Sequence, residues 1–288
     1  MTVTHHSGDP AGGSLPAPPQ PQPRPLPEPQ RPRRLRALRT VMALVLREMS
    51  TTYGRTPGGY LWAVLEPAGF IAIYTLILEL GLRIRAPSLG VSFMLFFATG
   101  ILPFLMYQRI AGRVSVAITF SRPLLAYPGV TWVDTIAARF LLQAITQLLV
   151  FYIIITVLIT VFDTRAVIDM PPVIAGMGMA MLLGLGVGAM NCYLLPTFPV
   201  WQTVWAILTA PLFLISTIIF TYEELPLIGQ QILWYNPLVH VVGMVRRGFY
   251  PTYDAVYVSP VYVCGLSLLL LAGGLMLTRR WYRSIINN

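Results

Sequence analysis

The sequence predicts an all-α integral membrane protein: six transmembrane helices, an N-terminal interfacial amphipathic helix, and re-entrant helices before the last span. Three observations carry that prediction. The 288 residues are 56% hydrophobic and 11% charged, with a mean hydropathy of +0.67, where a soluble domain carries about 25% charged residues. Apolar runs of spanning length recur six times. The basic residues flank those runs instead of clustering on one soluble face, which sets aside the nucleic-acid reading that a net charge of +9 invites.

Residues 1–34 hold ten prolines among Gln, Gly and Arg. Such a composition buries no core and predicts a disordered tail of polyproline character. From residue 35 to the end the chain reads as one transmembrane domain. Its first part, 35–57, places Leu35, Leu38, Val41, Met42, Leu44, Val45 and Met49 mostly on one helical face, with Arg36, Arg39, Arg47 and Glu48 largely elsewhere. A basic amphipathic helix of this kind lies in the membrane interface.

The six apolar runs are about 60–82, 91–108, 136–162, 172–195, 200–220 and 260–278; a span needs about 20 residues. Pro103 predicts a tilt or break in the second run, and Pro211 a kink in the fifth. Six spans put both termini on one side. With that side inside, fifteen of the twenty arginines fall inside and five (Arg83, Arg85, Arg165, Arg246, Arg247) outside. The positive-inside rule then places both termini in the cytoplasm.

All 20 basic residues are arginine. A Walker-type phosphate loop needs a lysine, so this chain carries no ordinary one and is expected to bind no ATP or other cofactor itself. Cys192 and Cys264 lie in apolar segments and indicate no disulfide framework. His5, His6 and His240 lack metal-ligand spacing. No nucleophile–base pair or paired carboxylate site emerges, so nothing supports an enzyme.

Several residues stand out by position. Glu66 precedes Pro67 near the start of the first run, where the interfacial segment would hand over to the spanning helix. It reads either as a complement to the positive helix start or as a pathway carboxylate. Arg139 lies deep enough in the third run to require pairing, snorkelling, a water-filled face or an anionic substrate group, whereas Asp134 suits that helix's N-terminus. Gly176, Ala180, Gly184 and Gly188 form a small-residue face for close packing, within the subunit or against a second copy. The segment Tyr107–Val130 is long, basic and amphipathic, fit for a soluble partner or for anionic lipid. Thr221–Ser259 is too polar to span yet too apolar for a free loop, and reads as re-entrant helices around Asn236-Pro237. His240 within it reads as a packed interfacial histidine more than a proton carrier.

The stretches "LREMSTTYGRTPGGYLWAVLEPAG", "TGILPFLMYQRIAGRVSVAI", "VDTIAARFLL" and "LWYNPLVHVVGMVRRGFYP" resemble the membrane subunit of ABC-2 type exporters, in particular the capsular polysaccharide export permeases. The resemblance covers roughly 44–283, in order. It implies a homodimer in the bacterial inner membrane, paired with two ATP-binding subunits that use the ATP, and a lipid-linked polysaccharide passed outward through the dimer. A periplasmic co-polymerase and an outer-membrane export protein are further implied partners; nucleic acid is not. The helix over 35–57 would dock the ATPase and Gln108–Pro123 would include a coupling helix, making Arg47, Glu48, Arg109, Arg113 and Arg122 coupling candidates. Periplasmic gate helices would map onto Glu224–Tyr250. Candidates for the translocation pathway or gate are Tyr60, Trp62, Glu66, Arg139, Trp234, Tyr235, Asn236 and His240, the aromatics among them, with Tyr53, suiting sugar stacking or an interfacial aromatic belt. Relatives often carry an acidic residue near Gly243, which this chain lacks. Alternative readings are export of another lipid-linked glycan, of O-antigen or teichoic acid type, a membrane-embedded glycan-modifying enzyme, or a secondary transporter, whose internal repeats the runs do not show.

Overall fold

The structure, a computed structural model, describes residues 2–3, 33–53, 58–78, 88–125, 130–162 and 168–287. The Pro-rich tail falls almost wholly outside the described residues, as do Arg55, Arg83, Arg85, Asp163 and Arg165 and the side chain of Tyr53. Regular structure among the described residues is helical throughout. The first half comprises α1 (Arg33–Tyr53), α2 (Leu61–Leu76), α3 (Phe93–Ser115), α4 (Ala117–Phe120), α5 (Arg122–Leu125) and α6 (Trp132–Val161). The second comprises α7 (Met170–Thr197), α8 (Pro199–Thr209), α9 (Leu212–Ile215), a 3₁₀ turn (Tyr222–Glu224), α10 (Leu227–Leu233), α11 (Pro237–Phe249) and α12 (Pro260–Asn287).

Among the described residues, four helices are long and apolar enough to cross a membrane: α3, α6, α7 and Pro260–Tyr282 of α12. The first expected run yields the shorter α2, of 16 residues. The fifth is divided into α8 and α9 at Ala210–Pro211, where the proline ring removes a donor and crowds the preceding turn. Pro103 behaves differently. α3 passes through it unbroken and continues to Ser115, beyond the expected end at 108. The helix is enclosed by α7, α6, α11 and α2, and that packing holds it together across one missing hydrogen bond. α6 starts at Trp132, earlier than the expected 136, because Thr131 and Asp134 form a reciprocal cap. The Thr131 hydroxyl accepts from the Asp134 amide at 3.2 Å, and the Asp134 carboxylate accepts from the Thr131 amide at 3.0 Å.

α3 and α7 form the centre, with α12, α11 and α6 around them. Their closeness comes from the small residues of α7. A Cβ on Gly176 would meet Val245 of α11 at 2.5 Å, and on Gly184 or Gly188 would meet Ile110 or Val114 of α3 at 3.0 and 2.7 Å. The small-residue face therefore packs within the subunit. A second such face joins α7 to α12: Gly186 lies against the Ser267 backbone, and Gly274 against the backbone of Ala189 and Met190, where a Cβ would stand at 2.5 Å. Two backbones in contact have no side chain that can yield. Gly274→Ala is expected to push α7 and α12 apart at a cost of about 1–3 kcal/mol and to lower the thermal midpoint in detergent. Gly178→Ala, whose added methyl would meet nothing within 4 Å, should leave the midpoint unchanged or raise it through helix propensity.

Candidate functional site

Every helix of the core runs between two ends, and each end is organised by one arginine. At the end where α1 lies, Arg139 sits about two turns beyond the cap of α6. Its side chain is 4% exposed, and its Nη2 lies 2.9 Å from Glu48 Oε1 on α1, itself 14% exposed. Nη1 donates to the Arg113 carbonyl at 3.1 Å. That carbonyl is one of the last of α3, which no longer has a helical donor. The guanidinium also lies 4.3 Å from the centre of the Phe120 ring on α4. One cation thus joins α6, α1, α3 and α4. Of the four possibilities for Arg139, the geometry is pairing.

Glu66 and Arg109 make the second contact at this end, Oε1 to Nη2 at 2.9 Å, with side-chain exposures of 70% and 19%. The helix does not begin at the Glu66-Pro67 seam, as expected. α2 starts at Leu61 and runs through Pro67, so Glu66 lies in the second turn and pairs with a cation instead of complementing the helix start. The pair stands at the edge of a cavity of about 470 Å³ between α2, α3 and α8, walled by Phe70, Ile101, Phe104 and Phe213 with Gln108 and Arg109 as its polar part. Above it the aromatics interlock: Tyr74 stacks on Phe97 at 5.6 Å and Phe213 meets Phe70 edge-on at 5.9 Å. A second cavity of about 440 Å³ shares Glu66 and Arg109 and adds Gly112, Arg113, Val116 and Gln143.

At the opposite end Arg246, in the last turn of α11, is fully buried and forms no ion pair among the described residues. Nη1 donates to the carbonyls of Thr217 at 2.7 Å and Phe220 at 2.9 Å, and Nη2 to that of Ile218 at 2.7 Å. These belong to the turn after α9, where the chain leaves helical geometry and its carbonyls lose their donors. The guanidinium lies 4.0 Å over Phe96. Gly100 of α3 leaves the space it needs, since a Cβ there would stand 3.1 Å from Nη2.

Asn236 fixes the start of α11: its side-chain oxygen accepts from the Leu238 amide at 3.0 Å and its amide donates to the Ile215 carbonyl at 3.0 Å. His240 Nε2 lies 2.7 Å from the Trp234 carbonyl, and the Ser259 amide donates to Nδ1 at 3.2 Å. A carbonyl only accepts and an amide N–H only donates, which fixes a neutral ring protonated at Nε2. Both nitrogens are committed, so the ring holds structure and relays no proton as it stands. Trp234 packs against Tyr235, His240 and Tyr262, with its indole N–H donating to the Tyr257 carbonyl at 3.3 Å, while the Tyr235 ring is exposed.

Beside this cluster lies a cavity of about 470 Å³ lined by Tyr222, Glu223, Gln230, Tyr253, Asp254 and Tyr257, among others. Tyr222 and Tyr257 stack at 4.0 Å, and the Tyr253 hydroxyl donates to Glu223 at 3.1 Å. Burial pushes the Tyr257 hydroxyl up to about 12, so these phenols are neutral hydrogen-bonding groups. Gly243 packs against Tyr257 and Val258, leaving no room for a side chain.

The structure therefore divides the sequence candidates. Glu48, Glu66, Arg109, Arg113 and Arg139 gather at the α1 end; Trp234, Tyr235, Asn236 and His240 gather at the other. Tyr60 and Trp62 are exposed at the start of α2, Arg47 is exposed on α1, and Arg122 is half-buried on α5 with its Nε unpartnered. Arg246 escaped the reading because an arginine near a span looks like a flanking charge. The signal was its register: Val239, Val242 and Arg246 share one helical face and all are buried, while Arg247 is exposed. Arg246→Met would strand the buried carbonyls of Thr217 and Ile218 and the half-buried one of Phe220, each buried one costing about 1–3 kcal/mol. Its thermal midpoint should fall well below that of Arg247→Met, measured on the purified protein in detergent.

A family model described as ABC-2 type transporter matches residues 39–250. The chain is 33% identical over 240 residues to the polysialic acid transport protein KpsM of Escherichia coli, covering 83% of this chain and 92% of that one. It is 28% identical over 251 residues to the capsule polysaccharide export inner-membrane protein CtrC of Neisseria meningitidis serogroup B, covering 86% and 92%. With the capsule polysaccharide export inner-membrane protein BexB of Haemophilus influenzae it shares 28% identity over 248 residues, again covering 86% and 92%.

Proposed function

The chain belongs to the ABC-2 type transporter membrane family, and on that premise we propose that it is the permease of an ATP-driven exporter carrying lipid-linked capsular polysaccharide across the inner membrane. The observation that carries this reading is the alignment of 83% of the chain with a polysialic acid transport protein, 92% of whose length is covered. The permease supplies a path and no chemistry; ATP is hydrolysed by a separate subunit.

In this account the α1 end is cytoplasmic, six segments cross, and α10 and α11 dip back from the periplasmic side. Two copies pair with two ATP-binding subunits. The faces left open by the fold support pairing: α8 buries no residue within the chain although it is apolar, and Val200, Ile207 and Leu208 are exposed along it. An apolar helix held to its own subunit mainly by contacts with α7, including the Trp201 indole donating to Asn191 at 2.9 Å, suits a second copy on its open face, and the cavity between α2, α3 and α8 would then open towards the shared axis. The ATP-binding subunit would press on α1 and on α4–α5. Glu48 and Arg139 would pass that movement to α6 and α3, because pulling a buried ion pair apart leaves each charge uncompensated away from water. At the far end Arg246 would hold the turn after α9 in place, and a periplasmic co-polymerase and an outer-membrane export protein would receive the polymer.

Deleting the gene and fractionating the cells, with a complemented control, tests this reading. The expected result is polymer accumulated in the cytoplasm and none on the surface. Polymer absent everywhere would point to synthesis or regulation. A normal surface coat would overturn the capsule assignment and direct the search to other lipid-linked glycans.

A further inference from the structure

We propose that Phe213 is a hydrophobic plug that closes the cavity between α2, α3 and α8 and keeps the resting permease tight. The inference rests on the transport reading only for there being a path to close; the barrier itself stands on ring geometry. Phe213 lies on α9, just past the helix break at Ala210–Pro211. Its ring meets Phe70 and Tyr74 of α2 edge-on at 5.9 and 5.5 Å, and Phe97 and Phe104 of α3 edge-on at 6.4 and 6.1 Å. Aromatic rings favour this arrangement because the positive edge of one faces the negative face of another. One side chain from the second half of the chain thus fills the gap between two helices of the first half.

The cavity below these rings has two unlike ends. Glu66, Gln108 and Arg109 make its α1 end polar and charged, whereas Phe70, Ile101, Phe104 and Phe213 present only carbon. Polar walls hold water, and apolar ones leave a space dry. Water entering from the α1 end therefore stops at the rings, and a hydrophobic constriction of this kind blocks ions by staying dry. α9 is held in register with the cluster from its far side. The Asn236 amide donates to the Ile215 carbonyl at 3.0 Å, and Arg246 holds the carbonyls of Thr217, Ile218 and Phe220. The barrier thus lies on α9, ahead of the segment Glu224–Tyr250 where the family resemblance puts the gate helices.

The test uses vesicles loaded with potassium chloride that carry the permease assembled with its ATP-binding partner, in the absence of ATP. Potassium efflux into potassium-free buffer is the readout, with a proton carrier present to balance charge. The wild type should retain its potassium and Phe213→Ala should lose it. Phe213→Leu, which keeps apolar bulk at the constriction, should stay close to the wild type. Phe151→Ala removes a ring that packs on Phe249 at 6.3 Å between α6 and α11; it should remain tight, which separates a plug from a general loosening of the bundle. Tight Phe213→Ala vesicles would overturn the proposal, and so would a wild type or a Phe151→Ala variant that leaks as fast. Phe213→Leu as leaky as Phe213→Ala would overturn the assignment of the seal to apolar bulk. If the leak appears while deletion of the gene leaves surface polymer normal, the capsule reading fails and the plug stands. If deletion strands the polymer while Phe213→Ala stays tight, the plug fails and the capsule reading stands.

Discussion

A guanidinium group within a membrane bundle cannot be left without acceptors, and much of this structure follows from how two of them are satisfied. Arg139 takes a carboxylate from the interfacial helix, a carbonyl from the end of α3 and the face of an aromatic ring. Arg246 takes three carbonyls from a turn that has left helical geometry, and a second ring. Each solution works only if several elements are correctly placed together. Arg139 fixes where α1 meets the bundle, and Arg246 fixes how the chain returns after α9. The close packing of α7 on α3, α11 and α12 through its glycines supplies the frame that holds both.

Between these two fixed ends lies the part with few intrachain constraints. α2 and α8 contribute many exposed apolar side chains, and the cavity they form with α3 is bordered by an ion pair whose carboxylate faces water. A transport protein needs this division. The surfaces that change partners must be weakly held, while the elements that transmit movement must be tightly held. The ion pairs show the same contrast: Glu48–Arg139 is buried and reinforced, whereas Glu66–Arg109 is half in solvent and easily opened.

The helical membrane class was legible from composition and from the length of the apolar runs, because burial in lipid imposes both. Asp134 was readable as a helix start because capping is local, and Pro211 as a break because its missing donor is local too. Pro103 and the Glu66-Pro67 seam misled the reading for one reason: neighbouring helices enclose α3, and α2 begins six residues before Pro67, so in each case the surroundings outweighed the local preference. Arg139 could be recognised as needing a partner, but its partner lies 91 positions away in sequence, at Glu48, and no spacing announces such a contact. Arg246 was missed because its acceptors are backbone carbonyls, which carry no residue-type signature.

The central claim is that movement of the interfacial helix enters the bundle through Glu48 and Arg139. Glu48→Gln alone leaves a buried cation uncompensated and should destabilise the protein more than the double change Glu48→Gln/Arg139→Gln, which removes both charges. The double variant, folded and still bound to its ATP-binding partner, separates a mechanical role from a structural one. Its surface polysaccharide is the quantity to measure. The account predicts a stable assembly in the membrane with the polymer retained in the cytoplasm. A normal surface coat on cells carrying the double variant would contradict it.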